Sequence, residues 1–240
     1  MSFIRKILEA GAVVPFIRVP FKASASSETR LRRDLADFGR MLHAQGFVAA
    51  TDGNLSVRLD EERVMVTPSG YSKGSLEPEQ MVIVDLEGQK LSGSCCPTSE
   101  IGVHLTIYRM RPDVGAVVHA HPCTATGFAS AGIALDEPLC SEIVITLGSV
   151  PLAPYATPGS PELSENLKPF IPDHDAILMA NHGVVTCAED LQHAYMKMEA
   201  VEHYAKIVLV ARQLGGTRPL GRQELAKLMD LRTRYLRNGH

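Results

Sequence analysis

Apolar positions recur along this chain at two periods, and the switch between them predicts the elements. From Glu28 to Ala44 the residues Leu31, Leu35, Phe38 and Leu42 fall on one helical face. Ser26 or Ser27 can cap that helix and Gly46 can end it. Thr51-Asp52-Gly53-Asn54 reads as a turn, after which Leu55 to Leu59 alternates as a strand. Val64 to Thr67 and Met81 to Asp85 read as further strands, closed by Pro68-Ser69-Gly70 and Glu87-Gly88. Strands joined so closely predict an antiparallel or mixed sheet rather than a βαβ series.

Pro97-Thr98-Ser99-Glu100 opens a helix to about Arg109, with Thr98 or Ser99 as its cap and Glu100 in its first turn. Val114 to Val118 leads an apolar strand into His119-Ala120-His121, which Pro122 ends. A short helix follows over Cys123 to Ser130. Glu142 to Thr146 and Val150 to Ala153 read as short strands flanking Gly148, and Leu163 to Phe170 as a helix. Ala176 to Ala180 reads as a buried strand, followed by Asn181-His182-Gly183 and a second apolar strand, Val184 to Thr186. A long helix from Leu191 to Leu214 and a basic helix from about Arg222 to Leu236 close the pattern. Residues 1–27 stand apart as an extension broken by Pro15, Pro20 and an Ala-Ser run. Residues 28–240 read as a single domain. Arg5 and Lys6 before a short apolar stretch suggest a signal peptide, but Glu9 and the lack of a clean apolar core weigh against one.

Composition removes several function classes. A net charge of -3 leaves no electrostatic footprint for nucleic acid. No apolar run approaches the ~18 residues needed to cross a bilayer. The cysteines 95, 96, 123, 140 and 187 are odd in number and irregularly spaced, which argues against a disulfide framework and suits the cytoplasm.

The chemistry lies in the histidines. Alternate residues of a strand share a side, so His119 and His121 can aim both imidazoles at one point. An isolated pair of this kind is equally well explained by one histidine in the core and the other at the surface. His182, also at a strand end or tight turn, makes a third candidate. Three histidines with an open position describe a catalytic site for zinc or a similar metal rather than a closed structural one. His193 and His203 lie on the long helix, where a surface or core-edge place fits better than ligation. By spacing alone, Glu100 is a helix-start residue.

Taken together, Asp52-Gly53-Asn54-Leu55-Ser56, Thr67-Pro68-Ser69-Gly70, Thr98-Ser99-Glu100, His119-Ala120-His121, Pro154-Tyr155-Ala156 and Asn181-His182-Gly183 resemble, in order and spacing, the class II aldolase/adducin family. The resemblance runs from about Glu28 to Gly216. It implies an α/β/α sandwich around a largely antiparallel, nine-stranded sheet, and a homotetramer with active sites between subunits. It implies a divalent metal, zinc or another such as manganese, on His119, His121 and His182. It makes Glu100 the catalytic carboxylate, able to join the metal in the resting site. It places a substrate phosphate near Asn54, Ser69, Gly70, Thr98 and Ser99, where amides, hydroxyls and a helix start suit an anion.

The leading expectation is a lyase resembling fuculose-phosphate aldolase, cleaving a phosphorylated ketose or related hydroxyketone through an enediolate. The family's decarboxylases and dehydratase give a second expectation, and a non-catalytic adducin-like interaction domain a third. Glu100 counts against the family's epimerases. One departure bears on the choice: by local spacing Cys140 stands where the aldolase has a tyrosine that handles the aldehyde's proton.

Overall fold

The structure, a computed structural model, describes residues 27–237. The expected extension therefore lies outside the described residues except for Ser27. Ser27 accepts a hydrogen bond from the Arg30 amide (3.3 Å) and caps helix α1, Glu28–Ala44, as its sequence pattern predicts.

Eight strands form one sheet: β1 (Asn54–Arg58), β2 (Arg63–Val66), β3 (Val82–Asp85), β4 (Lys90–Ser92), β5 (Ala116–Ala120), β6 (Leu152–Ala153), β7 (Ala176–Met179) and β8 (Gly183–Ala188). Their order is β4-β3-β2-β1-β5-β8-β7-β6, and every pairing is antiparallel except β6 with β7. The sheet is thus largely antiparallel, with eight strands among the described residues instead of nine.

Helices cover both faces. They are α2 (Ile101–Met110), α3 (Cys123–Ser130), α4 (Ser141–Thr146), α5 (Pro161–Leu167), α6 (Leu191–Gln213) and α7 (Arg222–Arg237). Leu55, Val57, Met65, Val118, Leu178 and Val184 pack with α1, α3 and α6 in one core layer. Val64, Val66, Val117, Ile177 and Val185 point the other way and pack with α2 and α5. Alternate strand residues feed the two layers, so an α/β/α sandwich follows from the period of two.

Two expectations fail locally, and one strand, β4, has no sequence signal. Ser141–Thr146 is helical, not a strand, although Ile143, Val144, Ile145 and Thr146 all favour strands. The turn closes because the Val144 amide reaches Cys140 O (3.1 Å) and Gly148, at φ +78°, ends it. Arg232 of α7 then ties to Ile145 O, so tertiary context overrides a weak propensity. Helix α5 starts earlier than Leu163, because Ser160 caps it and Pro161 fits the first helical position. Edge strand β4 is exposed throughout and carries no apolar alternation.

Candidate metal centre

One end of the sheet gathers the three histidines. In the β5 register His119 sits opposite Asn54 of β1 and Val185 of β8. His121 lies one residue past β5, where its amide donates to Phe47 O (2.8 Å). Pro122 gives the following helix α3 no side-chain cap. The buried Glu202 of α6 supplies it, accepting from Thr124 N (3.0 Å) and Ala125 N (2.9 Å). A capping carboxylate of this kind is typically worth ~1 kcal/mol, and here it anchors the exit of the His121 strand. His182 occupies the tight turn between β7 and β8, with Asn181 in the left-handed region at φ 55°.

Gly183 makes the convergence possible. A Cβ there would lie 2.5 Å from His121 Cδ2 and 2.7 Å from Ala120 O. Gly183→Ala is therefore expected to push the histidine strands apart and cost roughly 1–3 kcal/mol, as overpacking does. A melt and a metal titration check this, and native values for both would refute it.

The ligand atoms of His119, His121 and His182 all lie within 4.8 Å of one another. His119 Nδ1 donates to Val184 O (2.8 Å), which fixes the tautomer and leaves the Nε2 lone pair facing inward. That Nε2 stands 3.1 Å from His121 Nε2 and 3.2 Å from Glu100 Oε2. His182 Nε2 is 3.0 Å from Glu100 Oε1, an oxygen with no hydrogen-bond partner. His121 turns its Nδ1 to Asp52 Oδ2 at 3.5 Å. Imidazoles and a carboxylate converging this closely suit a positive charge among them, whether a proton on His119 or a metal ion. Three imidazoles and a carboxylate are the donor set of zinc and similar divalent metals, so the residues fit the group the resemblance implies.

The protonation states are coupled. Burial would lower the His119 imidazole, but the Glu100 carboxylate outweighs it and pushes the group up, so a metal would displace a proton there. Burial would raise the Glu100 carboxyl, but the His119 and His182 imidazoles outweigh it and hold the group well below the usual range. Burial and the facing imidazoles push His121 down to about 4, so it stays neutral and available as a ligand.

Glu100 is not a capping residue in the expected sense. It occupies the N-cap position of α2 itself, its side chain makes no capping bond, and its carboxylate turns to the imidazoles. The Thr98 Oγ1 only receives the Glu100 amide (3.4 Å). The other expected residues sort into two groups. Ser69, Gly70 and Ser99 are exposed, and their loops are joined by Ser69 N to Cys96 O (3.0 Å). Thr98 and Asn54 are buried. Asn54 spends its amide inside the protein: Nδ2 donates to Glu100 Oε2 (3.0 Å) and Oδ1 meets His104 Nε2. Lys73, also buried, ties the Thr51 and Tyr71 carbonyls (3.0 and 2.6 Å) and so braces the turn before β1 against the loop after Gly70.

Reading by residue type misses Asp52 as the neighbour of His121, and it misses His104, Ser56 and Tyr108 behind Asn54. A signal for the second group exists. Glu100, His104 and Tyr108 recur every four residues, while Asn54 and Ser56 recur every two. Those are the repeats of a helix face lying on a strand face.

The Class II Aldolase and Adducin N-terminal domain family matches residues 33–209, and the chain belongs to that family. The chain is 33% identical over 215 residues to the 3-oxo-tetronate 4-phosphate decarboxylase of Escherichia coli K12, covering 87% of this chain and 98% of that enzyme. It is 35% identical over 187 residues to the L-fuculose phosphate aldolase of Methanococcus maripaludis (strain S2), covering 75% and 99% respectively. The structure of L-fuculose-1-phosphate aldolase from Thermus thermophilus superposes with a TM-score of 0.69 at 30% identity, over 80% of this chain and 98% of that one.

Proposed function

We propose that this chain is a divalent-metal-dependent lyase that removes CO2 from a phosphorylated 3-oxo sugar acid. A metal held by His119, His121, His182 and Glu100 would act as a Lewis acid toward the negative charge left when a bond beside a carbonyl breaks. The bonding pair of the departing carboxylate stays on the neighbouring carbon, and that carbon must gain a proton. Glu100 is the carboxylate in place to carry it. Asn54 holds Glu100 through Oε2. Ser69, Gly70, Thr98 and Ser99 are the groups assigned to the phosphate, while the Asn54 amide is bonded to Glu100 and His104 instead. Recognition rests there on amides and hydroxyls, since the nearby Lys73 is already bonded to two carbonyls.

The observation that favours decarboxylation over aldol cleavage is Cys140. Releasing an aldehyde requires a group that takes the hydroxyl proton, whereas releasing CO2 does not. Cys140 packs against the core at the start of α4, and burial, with Glu142, raises its thiol further above neutrality. A protonated, half-buried thiol is a poor base. The relatives named 3-oxo-tetronate 4-phosphate decarboxylase, matched almost end to end, support this reading.

An aldolase acting on a phosphorylated ketose is the second reading, supported by the 35% identity to an L-fuculose phosphate aldolase. Under either reading the assembly is the homotetramer that the resemblance implies. No helix among the described residues is long and apolar enough to cross a membrane.

Metal-loaded enzyme supplied with a phosphorylated 3-oxo tetronate is expected to release CO2, and the unphosphorylated acid should turn over far more slowly. Aldehyde from L-fuculose 1-phosphate, without CO2 from the acid, would establish the second reading. Equal turnover of phosphorylated and free acids would remove the phosphate assignment.

A further inference from the structure

Behind the candidate centre a hydrogen-bond chain runs inward along the seam of β1 and α2. Asn54 Nδ2 lies 3.0 Å from Glu100 Oε2, and Asn54 Oδ1 meets His104 Nε2. His104 Nδ1 is 2.7 Å from Ser56 Oγ, which is 2.8 Å from Tyr108 Oη. His104 and Ser56 are 0% exposed, Tyr108 1% and Asn54 3%, so bulk water does not reach these links.

The direction of every proton in this chain is forced from one end. Ionised Glu100 can only accept, so Asn54 must present its N–H to it. The Asn54 oxygen then faces His104, whose Nε2 must be the donor. With the single proton of a neutral ring on Nε2, Nδ1 carries a lone pair and accepts a hydrogen bond from the Ser56 hydroxyl. The Ser56 oxygen is then free to accept from the Tyr108 hydroxyl. Burial, with His119 adding to it, pushes His104 down to about 3, which keeps the ring neutral. An asparagine amide can flip, with O and N exchanged at little steric cost, and a flip here would point an oxygen at the carboxylate.

We infer that His104 is a positioning residue: its Nε2–H locks the Asn54 amide in the orientation that holds Glu100 against the imidazoles. The inference rests on the proposed role of Glu100, but it concerns a tautomer and a bond that exist without turnover. It also explains why a histidine is buried where a helix core would accept a leucine.

Two near-isosteric variants separate this role from packing. In His104→Gln the amide nitrogen can overlay Nε2 and still donate to Asn54. In His104→Asn the shorter side chain can serve Ser56 but falls short of Asn54. Outer-shell partners of metal sites typically cost about 10–100-fold in metal affinity or activity when lost. His104→Gln is therefore expected to stay within a few-fold of native in kcat and in Zn2+ affinity, while His104→Asn and His104→Leu fall by about 10–100-fold with KM unchanged. Melts of all three should not follow that order, since Gln and Asn each restore one of the two bonds.

A second readout needs no substrate. Nitrogen-15 NMR of histidine-labelled apoprotein should show one ring, absent in His104→Gln, protonated on Nε2 alone. If the Gln and Asn variants lose Zn2+ affinity equally, or if the ring is protonated on Nδ1, the inference is overturned. If no substrate is turned over but the tautomer and the Zn2+ ranking hold, the proposed reaction fails and the positioning role stands.

Discussion

His121→Ala is expected to give a folded protein that neither holds a divalent metal nor turns over. Of the three imidazoles His121 is the one whose loss the fold tolerates. Its side chain is 25% exposed at the rim, whereas those of His119 and His182 are 2% and 6% exposed. Truncating His119 would also open a hole in the middle of the sheet, beside Asn54 and Val185, and confuse ligation with packing. Removing a direct ligand should cost more than the roughly 10–100-fold typical of outer-shell changes. Metal content after dialysis, alongside a melting curve, checks the expectation. A variant that keeps both full metal and full turnover would show that the imidazoles converge for another reason.

The sequence alone made much of this centre legible, for a physical reason. His119 and His121 are two apart and end a strand, so a single geometric rule brings them to one side. His182 is tied to a turn whose glycine can be recognised as such. The need for that glycine is a different matter, because the clash with His121 Cδ2 depends on how β5 and β8 lie side by side. An antiparallel or mixed sheet was legible in strands joined by short turns, and the sandwich came from the family resemblance, but alternation misleads at β1. Asn54, Ser56 and Arg58 alternate with Leu55 and Val57 as if one face met water, yet all five are buried. Their polar face meets α2, where His104, Tyr108 and Arg111 satisfy it. A buried polar stripe and a solvated one have the same pattern, and only the partner helix distinguishes them.

Arg58 shows how far that stripe extends. Its guanidinium donates to Val114 O (2.9 Å) and Tyr108 O (2.6 Å) and lies over the Tyr108 ring, 4.8 Å from its centroid. Beyond it Arg111 pairs with Asp113 (2.7 Å) and Asp175 (2.9 Å), and Lys197 reaches Asp175 (2.9 Å). The seam between β1 and α2 is thus polar from the candidate centre to the opposite end of the sheet. Such a fully bonded network fixes the register of helix on strand. It thereby fixes the position of Glu100 relative to the histidines.

Glu100→Gln is the variant that should separate holding the metal from doing the chemistry. Glutamine keeps the length and shape of the side chain, and its oxygen can still accept the Asn54 N–H that now reaches Oε2. What it loses is the negative charge and the capacity to carry a proton. The three imidazoles remain, so the variant is expected to bind metal in full stoichiometry, more weakly because its nitrogen would face His182 where Oε1 now stands. Turnover should fall by ~10²–10⁴-fold, the usual contribution of a positioned acid or base. The two effects can be told apart by saturating the variant with metal before the assay. If excess metal restores turnover, Glu100 acts only as a ligand and another group moves the proton. If turnover is near native without added metal, the carboxylate is a helix-start residue that happens to face the imidazoles. A persistent loss in the saturated variant, with its melting curve unchanged, leaves proton transfer as the function that glutamine cannot perform.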